Sequence, residues 1–130
     1  MKTAGTIVAA LAVVILALQG CAGLVAGGAA GAAAATYVQG NYETAYSAPL
    51  DRTWGATLNT LRAMNMTVTE TEKSLSEASV EARMQDGTDV NVTLTRSSPT
   101  VTAASIRVGL IGDEEASRMI SRRIEERLAG

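Results

Sequence analysis

Three regimes of hydrophobic and polar positions follow one another along the chain. Ala4–Leu18 (AGTIVAALAVVILAL) carries no charge over 15 residues and stands behind Met1-Lys2-Thr3, with its single positive charge. As a helix this run is about 22 Å long, short of the roughly 30 Å hydrocarbon core of a bilayer. A charged start followed by a short apolar stretch is the pattern of a secretory signal, here residues 1–20. The second regime, Ala22–Thr36 (AGLVAGGAAGAAAAT), is again uncharged but built of small residues, with Gly23, Gly27 and Gly31 at four-residue spacing. Each glycine weakens a helix by about 1 kcal/mol relative to alanine, so residues 21–37 read as a tether. The small-xxx-small spacing also suits a membrane-associated or self-associating helix, which is the alternative. If the leader stays uncleaved, Ala4–Thr36 offers 33 residues with Gln19 as the one strongly polar side chain, enough for a tilted single-pass anchor.

From Val38 to Gly130 the pattern becomes that of a folded domain. Asn41–Ser47 alternates, with Tyr42, Thr44 and Tyr46 on one face and Glu43 on the other, as in a half-buried strand. Ala48-Pro49-Leu50-Asp51 reads as a helix start, proline at the first helical position and Asp51 in the first turn. Leu50, Trp54, Leu58 and Leu61 form its expected apolar stripe, and the helix is expected to end near Asn65. Met66–Glu72 reads as a threonine-rich strand. Ala78, Val80, Ala82 and Met84 alternate with polar residues, as do Val90, Val92 and Leu94, and Asp86-Gly87 between the two runs is a strong hairpin signal. After the turn at Ser97-Ser98-Pro99, Thr100–Ile111 predicts a further strand with Ile106, Val108 and Leu110 on one face. Asp113 then reads as the N-cap of a last helix, with Glu114 and Glu115 in its positive first turn. Ala116, Ile120, Ile124 and Leu128 are its expected buried stripe, and Glu114–Arg118 and Arg122–Glu126 its i,i+4 pairs. The order β-α-β-β-β-β-α predicts an α+β two-layer domain: a mostly antiparallel sheet with both helices on one face.

Composition narrows the chemistry. Hydrophobic residues make up 47% of the chain, but there is no phenylalanine, and the aromatics are Tyr37, Tyr42, Tyr46 and Trp54, so a thin aliphatic core is expected. Net charge is -2, and loss of Lys2 with the leader leaves 10 basic against 13 acidic residues, a surface with no affinity for nucleic acid. Without histidine and with one cysteine, the chain lacks an internal disulfide and the usual nitrogen and sulfur ligands of transition metals. No cofactor is expected.

That one cysteine closes the tetrapeptide Leu18-Gln19-Gly20-Cys21, which resembles the lipobox of bacterial lipoproteins, with Gln19 departing from the usual small or β-branched residue. The resemblance implies that Cys21 takes a diacylglycerol, becomes the acylated (palmitate-type) N-terminus and holds the mature protein on a membrane. Ala22 rather than aspartate at the next position implies, under enterobacterial-type sorting, the outer membrane facing the periplasm. Together with Tyr46-Ser-Ala-Pro-Leu-Asp-Arg-Thr-Trp54 and Val108-Gly-Leu-Ile-Gly-Asp-Glu-Glu-Ala-Ser117, the lipobox and the Gly/Ala stretch resemble a family of small Gram-negative lipoproteins described as a domain of unknown function. The resemblance spans about residues 15–128. It implies an envelope location and a helix-on-sheet domain, and brings no catalytic residues.

The remaining candidates have simpler readings. A Ser-Lys nucleophile pair would need Lys73 and Ser74, in a turn-like stretch. Asp113, Glu114 and Glu115 read as a helix cap before they read as a cation site. Arg118, Arg122 and Arg123, interleaved with Glu125 and Glu126, read as a solvated face before a phosphate or headgroup site. Trp54 and the tyrosines read as core before a ligand groove. The expected function is therefore a non-enzymatic binding or structural module, anchored in the membrane and partnered by an envelope protein. A carrier of a small apolar ligand is the alternative.

Overall fold

A computed structural model describes residues 35–130. The leader, Cys21 and the tether up to residue 34 lie outside the described residues. Six strands and two helices follow in the order β1 (Thr36–Val38), β2 (Asn41–Tyr46), α1 (Leu50–Ala63), β3 (Thr67–Lys73), β4 (Glu77–Arg83), β5 (Asp89–Ser98), β6 (Val101–Val108) and α2 (Glu114–Ala129). The strands form one antiparallel sheet, ordered β1-β2-β6-β5-β4-β3. This is the expected α+β class, with one strand more than the sequence pattern predicts.

The additional strand is β1. It pairs with β2 through the two-residue turn Gln39-Gly40, whose φ angles are both positive (52° and 86°), the geometry whose twist matches a hairpin. Thr36 and Tyr37, expected at the end of the tether, thus belong to the sheet. Strands β3 to β6 form a meander of hairpins. At Asp86-Gly87 the Asp86 carboxylate accepts from the Thr88 backbone N–H at 3.0 Å, and Gly87 N–H donates to Met84 O. Because β2 pairs with β6, helix α1 carries the chain across the sheet from β2 to the opposite edge, where β3 begins.

Both helices cover the same face, α1 over β3, β4 and β5 and α2 over β2 and β6, and they pack against each other. The sheet rows beneath them alternate small and large side chains. Val80, Val92 and Ile106 stand in one register row, and Ala78, Leu94 and Ala104 in the next. Leu50, Leu61, Ile120 and Ile124 close over them, all fully buried, with Tyr46 the one aromatic that is completely enclosed.

Burial on α1 departs from the expected stripe. Leu50 and Leu61 are buried as predicted, whereas Trp54 and Leu58 are half-buried, and Thr53, Thr57 and Thr60 take the innermost positions. At two of these positions the hydroxyl is absorbed by the helix itself: Thr53 Oγ1 donates to Pro49 O at 2.9 Å, and Thr57 Oγ1 to Thr53 O at 2.8 Å. Helix α2 also buries small polar residues, Ser117 and Ser121, beside Ile120 and Ile124 while Ala116 and Leu128 sit at the margin. Ser121 Oγ meets the Tyr46 hydroxyl, and Ser117 Oγ, like Thr60 Oγ1 on α1, has no hydrogen-bond partner among the described residues. Pro49 is the N-cap residue of α1, one position before its expected place, and the helix ends at Ala63. There Asn65 is left-handed (φ 62°), with Met66 N–H bonding Leu61 O and Asn65 N–H bonding Arg62 O, a Schellman termination.

Strand β6 ends at Val108, not at Ile111. Leu110, expected on the core face, is instead 92% exposed. The chain turns out of the sheet between Gly109 and Gly112 (φ 76° and 93°) before Asp113 opens α2.

Candidate functional site

Among the described residues both helices lie on one face of the sheet, and the residues of the other face are set by alternation. Register places Glu72, Ser79, Thr93, Ser105 and Glu43 in one row across five strands, a line of hydroxyls with a carboxylate at each end. Ser105 Oγ donates to Glu43 Oε1 at 2.8 Å, tying one end of the row to the sheet. The neighbouring row runs Glu70, Glu81, Asn91 and Arg107. Glu70 and Glu81 stand directly opposite each other, an arrangement that costs a sheet stability in the absence of a counter-charge. A shallow groove of about 310 Å³ lies over this region, lined by Glu70, Glu72, Ser79, Glu81, Asn91 and Thr93.

The cations nearest these glutamates are engaged elsewhere. A bulge after Val68 shifts the register of β3, so Glu70 and Glu72 face outward and Lys73 faces the helices. Lys73 Nζ there meets Asp51 Oδ1 of α1 at 2.6 Å, and this bond holds the Asp51 carboxyl below its ordinary range. Arg83 Nε pairs with Asp89 Oδ1 across the β4–β5 hairpin at 3.2 Å. The open face therefore presents Glu70, Glu72, Glu77 and Glu81 as an acidic, hydroxyl-lined surface suited to docking. The alternation Thr-Glu-Thr-Glu in β3 and Ser79-Val-Glu81 in β4 is the signal from which it could have been found.

Edge strand β3 is poorly suited to accepting a further strand. Six of its seven residues are exposed, but the bulge and the charges on Glu70, Glu72 and Lys73 are the devices by which sheets discourage edge pairing. Thr69, the extra residue of the bulge, spends its hydroxyl on Glu81 O at 3.1 Å.

The other candidates are placed as follows. Cys21 lies outside the described residues. Lys73 and Ser74 do not act as a pair: Lys73 meets Asp51, while Ser74 Oγ is held in the β3–β4 turn by Glu77 N–H and Glu77 O at 3.1 and 3.2 Å. Asp113 is the N-cap of α2, its carboxylate accepting from Ala116 N–H at 3.0 Å, and Glu114 bonds Arg118 at 2.9 Å. Arg122 and Glu126, both described, form no ion pair. Arg123 lies with Arg127, Glu126 and Thr60 around a depression of about 190 Å³ between the two helices.

Tyr46 is buried with its hydroxyl 2.8 Å from Ser121 Oγ, and burial pushes the phenol pKa well above its ordinary value. Trp54 packs against the margin of the core with Ala56 and Leu58. Among the described residues no three His, Cys, Asp or Glu side chains converge as a metal site requires, and no helix is long and apolar enough to cross a membrane.

No curated protein matches the sequence. A family model does match, over residues 5–127, a span that takes in the apolar run, Cys21 and the sheet with both helices. The chain belongs to the family described as protein of unknown function DUF3568.

Proposed function

We propose that the protein is a lipoprotein of the bacterial envelope, anchored through acyl chains on Cys21, and that its α+β domain is a non-enzymatic docking module. The observation that carries the anchor is Leu18-Gln19-Gly20-Cys21 at the end of a charged-then-apolar leader. Small residues at 20 and 22 leave the backbone accessible to a membrane-embedded peptidase, and the thiolate of Cys21 is the nucleophile toward the diacylglycerol donor. Two or three acyl chains, at about 0.8 kcal/mol per buried methylene, hold a protein on a membrane almost indefinitely. The family match supports this reading, since it begins inside the leader and so includes the processing site as well as the domain. Ala22 after the cysteine favours the outer membrane, facing the periplasm.

The open face of the sheet supports the docking role. Among the described residues the cations near its glutamates are engaged, Lys73 with Asp51, Arg83 with Asp89 and Arg107 with Gln39 O, and the reactive residue types are tied into turns, caps and ion pairs, so a partner with an exposed basic surface fits it best. Affinity for such a partner falls with salt as surface charges are screened.

Intact mass of the protein from its own membrane, beside a Cys21→Ser variant, tests the anchor. Residues 21–130 plus acyl chains, lost in the variant, is the expected result. An unmodified full-length mass would refute it and leave residues 4–36 as an uncleaved membrane anchor.

A further inference from the structure

We infer that the loop Gly109–Gly112 is a membrane-contacting element, which seats Leu110 and Ile111 in the lipid–water interface next to the anchor; the inference rests on the lipoprotein reading of Cys21. Leu110 and Ile111 are consecutive and are 92% and 91% exposed. Isolated apolar side chains on a surface need no explanation, but an adjacent aliphatic pair at the tip of a loop does. Elsewhere in the sheet, the β3–β4 turn carries one exposed aliphatic, Leu75 (84%), flanked by Ser74 and Ser76, and the connections Asp86-Gly87-Thr88 between β4 and β5 and Ser98-Pro99-Thr100 between β5 and β6 are polar.

The loop is held in place. Arg107 donates one guanidinium nitrogen to Gln39 O at 3.1 Å and another to Leu110 O, clamping the β1–β2 turn to the loop. At Gly112 the backbone passes so close to the same turn that a Cβ would lie 2.5 Å from Gly40 Cα, Gly40 O and the Tyr37 hydroxyl. Such fastening keeps Leu110 and Ile111 displayed outward, where a free loop would fold them against the domain. Val38, 54% exposed, stands at the same end, one residue before the clamped turn.

The occupant follows from the chain that leads here. Strand β1, which this loop touches, is the first element after the tether, and Ala35 stands 14 positions after Cys21. Fourteen residues of chain span at most about 50 Å whatever their conformation. The anchor thus holds the domain close enough for one end to touch the bilayer, and the end fastened to β1 carries three exposed aliphatic side chains, Val38, Leu110 and Ile111, against the single Leu75 at the opposite end. The contact is apolar: the residues that follow, Asp113 and Glu114, are acidic and engaged in the cap and with Arg118, so anionic lipid is not what the loop selects. Seated this way, the domain has a fixed orientation on the membrane.

The test uses the full chain, purified from bacterial membranes with its acyl groups and reconstituted in phosphatidylcholine vesicles. With Cys21 acylated, Leu110→Cys supplies the sole free thiol, which takes an environment-sensitive fluorophore, and Thr100→Cys places the same label at the opposite end of the sheet. Interfacial side chains sit about 5–10 Å deep, so lipids carrying a quencher at shallow acyl positions report the contact. Label at 110 is expected to shift to the blue and to quench several-fold more than label at 100, independently of salt, and Ile111→Asp in the same protein is expected to reduce the quenching. Equal quenching at 110 and 100 in a protein whose mass shows acylation overturns the inference and leaves the lipoprotein reading standing. A mass without acyl groups, with two thiols labelled in the Leu110→Cys variant, overturns both.

Discussion

Replacing Tyr46 by phenylalanine and Ser121 by alanine, singly and together, measures what joins the N-terminal part of the sheet to the last helix. The two hydroxyls meet at 2.8 Å inside the core, with Tyr46 1% and Ser121 4% exposed, from residues 75 positions apart in the chain. A net intramolecular hydrogen bond contributes about 1 kcal/mol, but a buried group left without a partner costs about 1–3 kcal/mol. The two single variants therefore differ. In Tyr46→Phe the orphaned Ser121 hydroxyl can rotate to the carbonyl one turn back in α2, as Thr57 does in α1, and the loss is about 1 kcal/mol. In Ser121→Ala the phenol has no such escape, and the loss is about 2 kcal/mol. With both changed the site is apolar and evenly filled, so the double variant loses about 2 kcal/mol, and the coupling between the two is about 1 kcal/mol. Urea unfolding followed by circular dichroism and by Trp54 emission reads these values as midpoint shifts at constant slope. In thermal unfolding each kcal/mol corresponds to roughly 4–8 °C for a domain of this size. Additive losses, or a Ser121→Ala variant as stable as the parent, would refute the assignment of this bond as a structural link.

Other outcomes follow from the same structure. The unfolded phenol titrates near 10 and that of folded Tyr46 higher, so the protonated form is favoured by folding; this stability is complete below pH 10 and lost as pH rises above it, and Tyr46→Phe should show a flatter decline in alkaline unfolding series. Gly112→Ala combines a left-handed backbone with a Cβ against Gly40 and Tyr37, and should cost about 2–4 kcal/mol in urea unfolding while speeding amide exchange of Thr36–Val38. Asp113→Ala removes the cap on α2 and should cost about 1 kcal/mol, of which Asp113→Asn recovers most, as read by thermal melts.

Much of the domain was legible because its signals are local. Alternation at Ala78–Gln85 and Val90–Leu94 around Asp86-Gly87 specifies a hairpin by itself, since register and turn are set within a few residues. Asp113 followed by two glutamates marks a helix start for the same reason. What was not legible depended on distant partners. Thr36-Tyr37-Val38 is too short to show a period, and it becomes a strand only because the Gln39-Gly40 turn folds it onto β2. On α1, hydropathy points to Trp54 and Leu58, yet the neighbouring helix and sheet decide which side faces inward. They select threonines, whose methyl groups fill the space and two of which, Thr53 and Thr57, return their hydroxyls to the helix.

The acidic face shows the same division. Alternation in β3 and β4 puts glutamates on one side of each strand, which any reader of the sequence can see, but the bulge after Val68 decides that Glu70 and Glu72 share a side with Glu81 while Lys73 leaves it. By itself, the sequence determined the α+β class, the Asp86-Gly87 hairpin and the Asp113 cap, because each rests on contacts within a turn or two of chain. Only the tertiary structure decided that β6 lies between β2 and β5, that Lys73 meets Asp51 in place of its neighbouring glutamates, and that Leu110 turns outward from the core. These are choices among partners far apart in sequence, settled by packing of the whole layer and invisible to any local pattern.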